Sequence, residues 1–158
     1  EDAITIEPMT EADLDEVLPI DLEAFHPNPN EQEAPRTLRE RQLRDELVRP
    51  FGRLRVARDR ASREIVGYVL FWHVTDEIHL LNVAVDRRKR RHGSGRALVN
   101  EVIAYARANA AVKILLEVRR SNEPAIRLYE GLGFETFNVR ERYYFDGEDG
   151  IEMMLTLG

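Results

Sequence analysis

Apolar and polar residues alternate along several short stretches of the chain, as they do in β-strands with one buried face. Such alternation, weak at residues 4–9, together with apolar runs bounded by polar turns, predicts about seven strands, at residues 4–9, 53–59, 64–74, 77–86, 112–118, 134–144 and 150–157. The stretch 112–118 is almost continuously apolar, which is typical of a strand that is buried on both faces.

Helical spacing of apolar residues and helix-start signals predict four helices. Residues 10–13 (Thr-Glu-Ala-Asp) and 37–40 (Thr-Leu-Arg-Glu) resemble capping boxes that open helices reaching about residues 25 and 48. The other two helices span residues 94–109 and 124–132. Pro19 predicts a kink or an early break in the first helix. The order of elements predicts a mixed α/β fold in a single domain over residues 1–158.

The most distinctive segment joins the strand ending near residue 86 to the helix beginning at Ser94. Five consecutive cations at residues 87–91 are followed by Gly93 and Gly95. Glycines let the backbone turn tightly, and the first N–H groups of a helix are unpaired and lie at the positive end of its dipole. We therefore expect a phosphorylated ligand at residues 90–95. The alternatives are a solvated charge run and a nucleic-acid or nuclear-localisation patch.

Composition narrows the possible functions. The 158 residues carry a net charge of -6, which disfavours general nucleic-acid binding. There is no cysteine, so a disulfide, a thiol nucleophile and a cysteine–metal site are all excluded. The four histidines lack metal-ligand spacing, and no metal is expected. Nothing resembles a signal peptide or a membrane span, so we expect a cytoplasmic protein without a membrane partner.

Two side chains are candidates for acid–base chemistry. Glu117 interrupts an apolar strand near its C-terminal end, where ligands of open α/β sheets bind. A carboxylate desolvated there would suit a general base, whereas the alternative is an ion pair with Arg119 or another arginine. Tyr129 lies beside the apolar face of the fourth predicted helix, either as a core residue with its hydroxyl at the edge or as a phenol that protonates a leaving thiolate. The spacing does not decide between these roles.

These sequence segments, in this order, resemble those of the GNAT superfamily of acetyl-CoA-dependent N-acetyltransferases. The family's phosphate loop, Arg/Gln-x-x-Gly-x-Gly/Ala, is matched by residues 90–95 (Arg-Arg-His-Gly-Ser-Gly), and the likeness runs from about Gly67 to Leu155. Within the superfamily the chain is similar to the RimI and archaeal Ard1-type protein N-terminal acetyltransferases. That likeness rests on residues 82–86, 116–119, 121–130, 133–134, 142–144 and 146–149.

The resemblance implies a function for each matching residue. Acetyl-CoA would be held by Val83, Ala84, Val85, Arg90, Arg91, His92, Gly93, Ser94, Gly95, Arg96, Asn122 and Tyr129. Glu117 would be the base that deprotonates the acceptor amine through water, and Tyr129 the acid for the departing thiolate. Tyr143 and Tyr144 would hold the peptide N-terminus, and the acidic turn at residues 146–149 would favour a basic second residue.

Three functions remain open from the sequence. The first is acetylation of a protein N-terminus, such as that of a ribosomal protein, by direct attack in a ternary complex. The second is a GNAT enzyme that acts on a small amine or a lysine, against which the Tyr-Tyr and Asp-Gly-Glu-Asp segments argue. The third is a non-catalytic acyl-CoA-binding module, against which the presence of both Glu117 and Tyr129 argues. The oligomeric state is left open.

Overall fold

The structure, a computed structural model, describes residues 3–25, 34–88 and 93–158. These residues form seven strands and four α-helices, with a short 3₁₀ turn before the first helix. The strands are β1 (Ile4–Pro8), β2 (Gly52–Asp59), β3 (Ile65–Val74), β4 (Glu77–Val85), β5 (Lys113–Arg119), β6 (Glu135–Arg140) and β7 (Gly150–Thr156). The helices are α1 (Leu14–Phe25), α2 (Ala34–Val48), α3 (Ser94–Ala108) and α4 (Glu123–Gly131). The predicted α/β fold is confirmed, and most predicted boundaries agree within one or two residues.

The strands form one mixed sheet in the order β1-β2-β3-β4-β5-β7-β6. Strand β4 pairs with β5 in parallel, whereas β5 with β7 and β6 with β7 are antiparallel. Contacts between residues divide the chain into two compact units. The first unit comprises Glu1–Phe71 and Asn82–Glu101, and the second comprises Trp72–Leu81 and Val102–Gly158.

The start of α1 in the first unit follows the predicted capping signal. The Asp13 carboxylate accepts hydrogen bonds from the backbone N–H of Thr10 at 2.9 Å and from its hydroxyl at 3.2 Å. The predicted break at Pro19 is not found, since α1 runs through Pro19 to Phe25. Pro19 and Asp15, whose carbonyl would have accepted the missing N–H, both lie on the exposed side of the helix. Water can therefore satisfy that carbonyl.

Helix α2 begins at Ala34, three residues before the predicted start. The expected capping box at residues 37–40 is wrong, because Thr37 lies inside the helix. A proline is tolerated in the first turn of a helix, where its missing N–H costs no intrahelical bond. The segment Ala-Pro-Arg at residues 34–36 can therefore open α2.

A buried polar network joins α1 and α2 to strands β3 and β4 in the first unit. Asp21 on α1 is completely buried and accepts two hydrogen bonds of 2.8 Å from the Arg39 guanidinium on α2. The buried Tyr68 hydroxyl on β3 also donates to Asp21 and accepts from Asn82 on β4 at 3.1 Å. Burial, the negative charge of Asp21 and its hydrogen bond together raise the pKa of Tyr68.

In the second unit, β6 ends at Arg140 and not at the predicted residue 144. Arg142 has a positive φ of 51°, and its N–H donates to the Asp149 carboxylate at 3.0 Å. The last four residues of the predicted strand, 141–144, therefore lie outside β6. The connection between β6 and β7 is a nine-residue loop, residues 141–149, which we call the tyrosine loop because it carries Tyr143 and Tyr144.

Candidate active site

The predicted phosphate site lies in the first unit, where α3 begins. Gly93 has a φ of +71°, a conformation that side chains other than glycine rarely adopt. The N–H of Ala97 bonds to the carbonyl of Gly93 at 3.0 Å, which marks the first turn of α3. The N–H groups of Ser94, Gly95 and Arg96 therefore fall at the positions that have no intrahelical partner. Arg90, Arg91 and His92 lie outside the described residues.

The side chain of Ser94, at the start of α3, has an unpaired hydroxyl oxygen. Ser94 is completely buried, and its hydroxyl is the one buried side-chain oxygen of the described residues that has no hydrogen-bond partner. A buried unpaired hydroxyl costs free energy unless a ligand or water satisfies it. Together with the free N–H groups, it makes this helix start suitable for an anionic phosphate.

The backbone of β4 near Val83, Ala84 and Val85 is approached closely by β3. A side chain added at Gly67 would place its Cβ 2.8 Å from the carbonyl oxygen of Ala84. Gly67 is therefore required for this close packing. Ala84 is buried, whereas Val83 and Val85 are half-buried.

The second unit contains an open cleft of about 420 Å³. Its wall is formed by strand residues and by the tyrosine loop, namely His79, Leu80, Leu81, Leu115, Leu116, Glu117, Phe137, Arg140, Tyr143, Tyr144 and Glu152. The structure thus brings together three of the predicted functional residues, Glu117, Tyr143 and Tyr144. Apolar walls with a few convergent polar groups are typical of ligand sites.

Glu117 lies at the open side of this cleft, so the expectation that it is desolvated is wrong. Its side chain is 35% exposed, because β5 presents this position outward while Leu116 and Val118 face the interior. The Tyr143 hydroxyl donates a hydrogen bond to the Glu117 carboxylate at 3.2 Å. The negative charge of Glu117 raises the pKa of Tyr143, which keeps the phenol protonated. The nearest arginine contact of Glu117 is Arg140, at 3.6 Å.

The tyrosine loop is tied to the end of β5 by charged groups. The Arg119 guanidinium contacts the carboxylates of Asp146 and Glu148, each at 2.9 Å, and stacks 4.2 Å from the ring centroid of Tyr144. Asp149 pairs with Arg120 at 3.1 Å. Two arginines therefore offset part of the negative charge of these three carboxylates. The expectation that this acidic turn favours a basic second residue of the acceptor stays a prediction.

Helix α4 carries the remaining predicted residues. Asn122 is its N-cap, and its side-chain oxygen accepts from the N–H of Ala125 at 3.3 Å. Tyr129 is 8% exposed and packs against Phe134 with ring centroids 5.6 Å apart. Burial raises the pKa of Tyr129 to about 12. The phenol is therefore fully protonated at neutral pH, as a proton donor must be.

The sequence profile described as the acetyltransferase (GNAT) family matches residues 14–134, which is more than half of the chain. The chain belongs to the GNAT acetyltransferase family. The matched residues include parts of both compact units. The resemblance inferred from the phosphate loop and from the segments around Glu117 and Tyr129 is confirmed.

This GNAT protein is similar to relatives named as N-acetyltransferases. It is 45% identical over 97 residues to the "[Ribosomal protein bS18]-alanine N-acetyltransferase" of Escherichia coli, an alignment that spans 60% of this chain and 66% of that relative. It is 42% identical over 107 residues to an "N-alpha-acetyltransferase" of Sulfurisphaera tokodaii, spanning 60% and 64% of the two chains. The crystal structure of the ribosomal-protein-S18-alanine N-acetyltransferase from E. coli superposes with a TM-score of 0.79 at 30% identity, covering 98% of this chain and 94% of that one.

Several residues that line the cleft were not predicted from the sequence as functional residues. They are His79, Phe137, Arg140 and Glu152. Glu152 lies opposite Glu117 in the antiparallel pair of β5 and β7. This position depends on the register of the two strands. The one signal in the sequence is that Glu152 interrupts an otherwise apolar strand, as Glu117 does.

Two further features bear on other classes of function. Within the described ranges, no group of three or more His, Asp or Glu side chains is arranged to hold a metal ion. In the same part of the chain, no helix is both long and apolar enough to cross a membrane.

Proposed function

We propose that this GNAT protein transfers the acetyl group of acetyl-CoA to the α-amino group of a protein N-terminus. The observation that carries this proposal is the open cleft in which the Tyr143 hydroxyl binds the Glu117 carboxylate. A carboxylate and a phenol at the mouth of an apolar cleft suit an extended peptide that ends in an ammonium group. The names of the relatives favour an N-terminal alanine, and by analogy that of a ribosomal protein.

Acetyl-CoA fits the residues at the start of α3. Its pyrophosphate would accept hydrogen bonds from the N–H groups of Ser94, Gly95 and Arg96 and from the unpaired Ser94 hydroxyl. By resemblance to the family, the backbone of Val83, Ala84 and Val85 would lie along the pantetheine arm of the coenzyme. A backbone N–H group there would polarise the thioester carbonyl. When bound, acetyl-CoA supplies the activated acetyl group.

Glu117 would remove the first proton. The acceptor arrives as an ammonium ion, and Glu117 takes one proton from it through water. The free amine then attacks the thioester carbon, the new C–N bond forms, and the C–S bond breaks. The second amine proton balances the charge of the departing thiolate, so the products are an amide, a thiol and one proton released to solvent.

Tyr129 would stabilise the departing thiolate by hydrogen bonding. A thiol has an ordinary pKa near 8.5, so complete proton transfer from a phenol of pKa about 12 is uphill. The phenol therefore contributes mainly by donating a strong hydrogen bond while charge develops on sulfur. Asn122, at the N-cap of the same helix, would contact the arm of the coenzyme.

The direct test uses two peptides of one composition with acetyl-CoA. One has a free N-terminal alanine, and the other is capped at its N-terminus and carries a central lysine. We expect acetylation of the first peptide and little of the second. Faster acetylation of the capped peptide would replace this proposal by the lysine-directed alternative. Acetyl-CoA binding without turnover on either peptide or on small amines would favour a binding module.

A further inference from the structure

Phe145, at the tip of the tyrosine loop, is a large apolar side chain that the fold leaves uncovered. It is 107% exposed, compared with 41% for Phe25 and 37% for Phe51. Burial of an aromatic ring is favourable, and exposed apolar surface beside polar groups is typical of interaction sites. The folded chain gains nothing from burying the Phe145 ring, so a partner that covers it would gain that free energy on binding.

A braced turn holds Phe145 in this position. The N–H of Gly147 donates to the carbonyl of Tyr144 at 2.8 Å, which closes a β-turn. Phe145 and Asp146 are the two central residues of this turn. The Asp146 carboxylate is bound by the Arg119 guanidinium at 2.9 Å. A side chain presented by a preorganised turn loses little conformational freedom when a partner binds to it.

Phe145 follows directly on the two tyrosines that line the cleft. Consecutive Cα atoms lie about 3.8 Å apart, and an extended peptide advances about 3.3 Å per residue. A peptide that passes Tyr144 on leaving the cleft would therefore reach Phe145 within about two residues. Phe137 and Tyr143 in the cleft wall are also exposed, at 49% and 44%. Apolar surface is thus available both in the cleft wall and at the tip of the loop.

The charged groups around Phe145 favour a positively charged partner. The cleft wall, the tyrosine loop and the two arginines that bind the loop together carry six carboxylates and four guanidinium groups, a net charge of −2 with the cleft histidine neutral. These groups are Glu117, Glu141, Asp146, Glu148, Asp149 and Glu152, and Arg119, Arg120, Arg140 and Arg142. Charge complementarity therefore favours a polypeptide with an ammonium end over a second copy of this chain, whose net charge is -6.

We propose that Phe145 binds the acceptor polypeptide outside the cleft, through an apolar side chain a few residues after the reacting N-terminus. This inference rests on the proposed function. The cleft binds the end that reacts, and the tip of the tyrosine loop adds a second contact that the chemistry does not require. An acceptor without an apolar side chain at the right distance misses this contact, whereas one that has it binds more tightly.

A leucine scan of the acceptor tests this inference. The parent peptide has a free N-terminal alanine, then arginine, then a run of serines, and leucine replaces each of the first four serines in turn. The measured quantity is kcat/KM with acetyl-CoA, relative to the parent peptide. For the wild type we expect leucine at one of these positions to raise kcat/KM about fivefold, the order expected when a leucine and part of a phenylalanine ring become buried.

Matched variants assign the gain to the Phe145 ring. Phe145→Ser should abolish the gain from leucine and leave kcat/KM for the parent peptide unchanged. Phe145→Leu keeps an apolar side chain and should keep most of the gain. Val48→Ser removes an apolar side chain that is 79% exposed at the end of α2, and it should behave as the wild type. Sedimentation of the wild type and of Phe145→Ser compares their oligomeric states.

The outcomes distinguish the inference from the proposed function. If the wild type acetylates the parent peptide but leucine gives no gain, or if Phe145→Ser keeps the gain, the inference is wrong and the proposed function stands. The inference is also wrong if Val48→Ser loses the gain equally, or if Phe145→Ser converts a dimer into a monomer, since a second copy would then cover the ring. If the wild type acetylates none of the peptides, the proposed function fails and the inference falls with it.

Discussion

Replacing Arg39 by methionine would remove the cation that pairs with the buried Asp21 while keeping most of the apolar length of the side chain. The fully buried Asp21 would lose two hydrogen bonds of 2.8 Å and would retain its contact with the Tyr68 hydroxyl. Removing one partner of a buried ion pair costs about 3–5 kcal/mol, because a charge is left without compensation. The Arg39 side chain is 17% exposed, so water reaches the site and the lower end of this range applies.

A loss of about 3 kcal/mol is large beside a total free energy of unfolding of about 5–15 kcal/mol. With a urea dependence of about 2 kcal/mol per molar, the unfolding midpoint would fall by about 1.5 M. The assay is urea unfolding followed by circular dichroism at pH 7. Arg44→Met is the matched control, since Arg44 lies on the same helix with its side chain 49% exposed and contacts Glu11 and Glu40. Exposed ion pairs contribute about 0–1 kcal/mol, so this variant should lose little.

Equal losses in Arg39→Met and Arg44→Met would refute the reasoning, since burial would then make no difference. A double variant provides a second check. Asp21→Asn combined with Arg39→Met removes both charges and should lose less stability than Arg39→Met alone. A greater loss in the double variant would mean that Asp21 does not depend on Arg39 for its compensation.

Two further predictions concern the chemistry. Glu117→Gln should lower kcat on a free N-terminal peptide by about 10²–10⁴-fold at pH 7, and the deficit should shrink towards pH 9 in initial-rate profiles because an α-amine has a pKa of about 8. A deficit of the same size at every pH would remove Glu117 as the base and leave a structural ion pair. Gly93→Val forces a side chain into a φ of +71° and should raise the acetyl-CoA Kd at least tenfold by calorimetry, about 1.4 kcal/mol. Gly147→Val strains a glycine of similar φ, +87°, in the tyrosine loop and should spare acetyl-CoA binding; equal effects would show that backbone strain alone is responsible.

The fold could be predicted where a local pattern determines the local structure. The apolar runs of β2, β3 and β7, bounded by polar turns, and the glycine spacing before α3 placed these elements to within one or two residues. The end of β6 could not be placed in this way, because contacts distant in sequence decide it. Arg119 at the end of β5 binds Asp146 of the tyrosine loop across 27 positions. The sequence of residues 141–144 gives no sign of that contact.

The same limit applies to the candidate site. Glu117 and Tyr129 lie on the strand and the helix on which the sequence placed them, whereas Tyr143 and Tyr144 lie in a loop and not in the predicted strand. The burial of Glu117 was mispredicted. An apolar sequence indicates that a strand packs in the interior, but it does not indicate which of its side chains lines an open cleft. The pairing of Glu117 with Glu152, and the position of Arg140 between them, depend on the register of three strands. Register was not among the properties that the sequence pattern determined.

The accessible position of Glu117 changes what its proposed role as a base would require of the acceptor. At pH 7 about 10% of an α-amine with a pKa near 8 is already neutral, compared with about 0.04% of a lysine with a pKa near 10.4. The acceptor's own basicity therefore favours an N-terminus over a lysine by a factor of about 250 before any contact is made. In the proposed mechanism, a carboxylate that reaches the amine through water would need to supply only the remaining proton transfer. A half-exposed Glu117 is thus better matched to an α-amine than to a lysine side chain, whose deprotonation would demand a far stronger base.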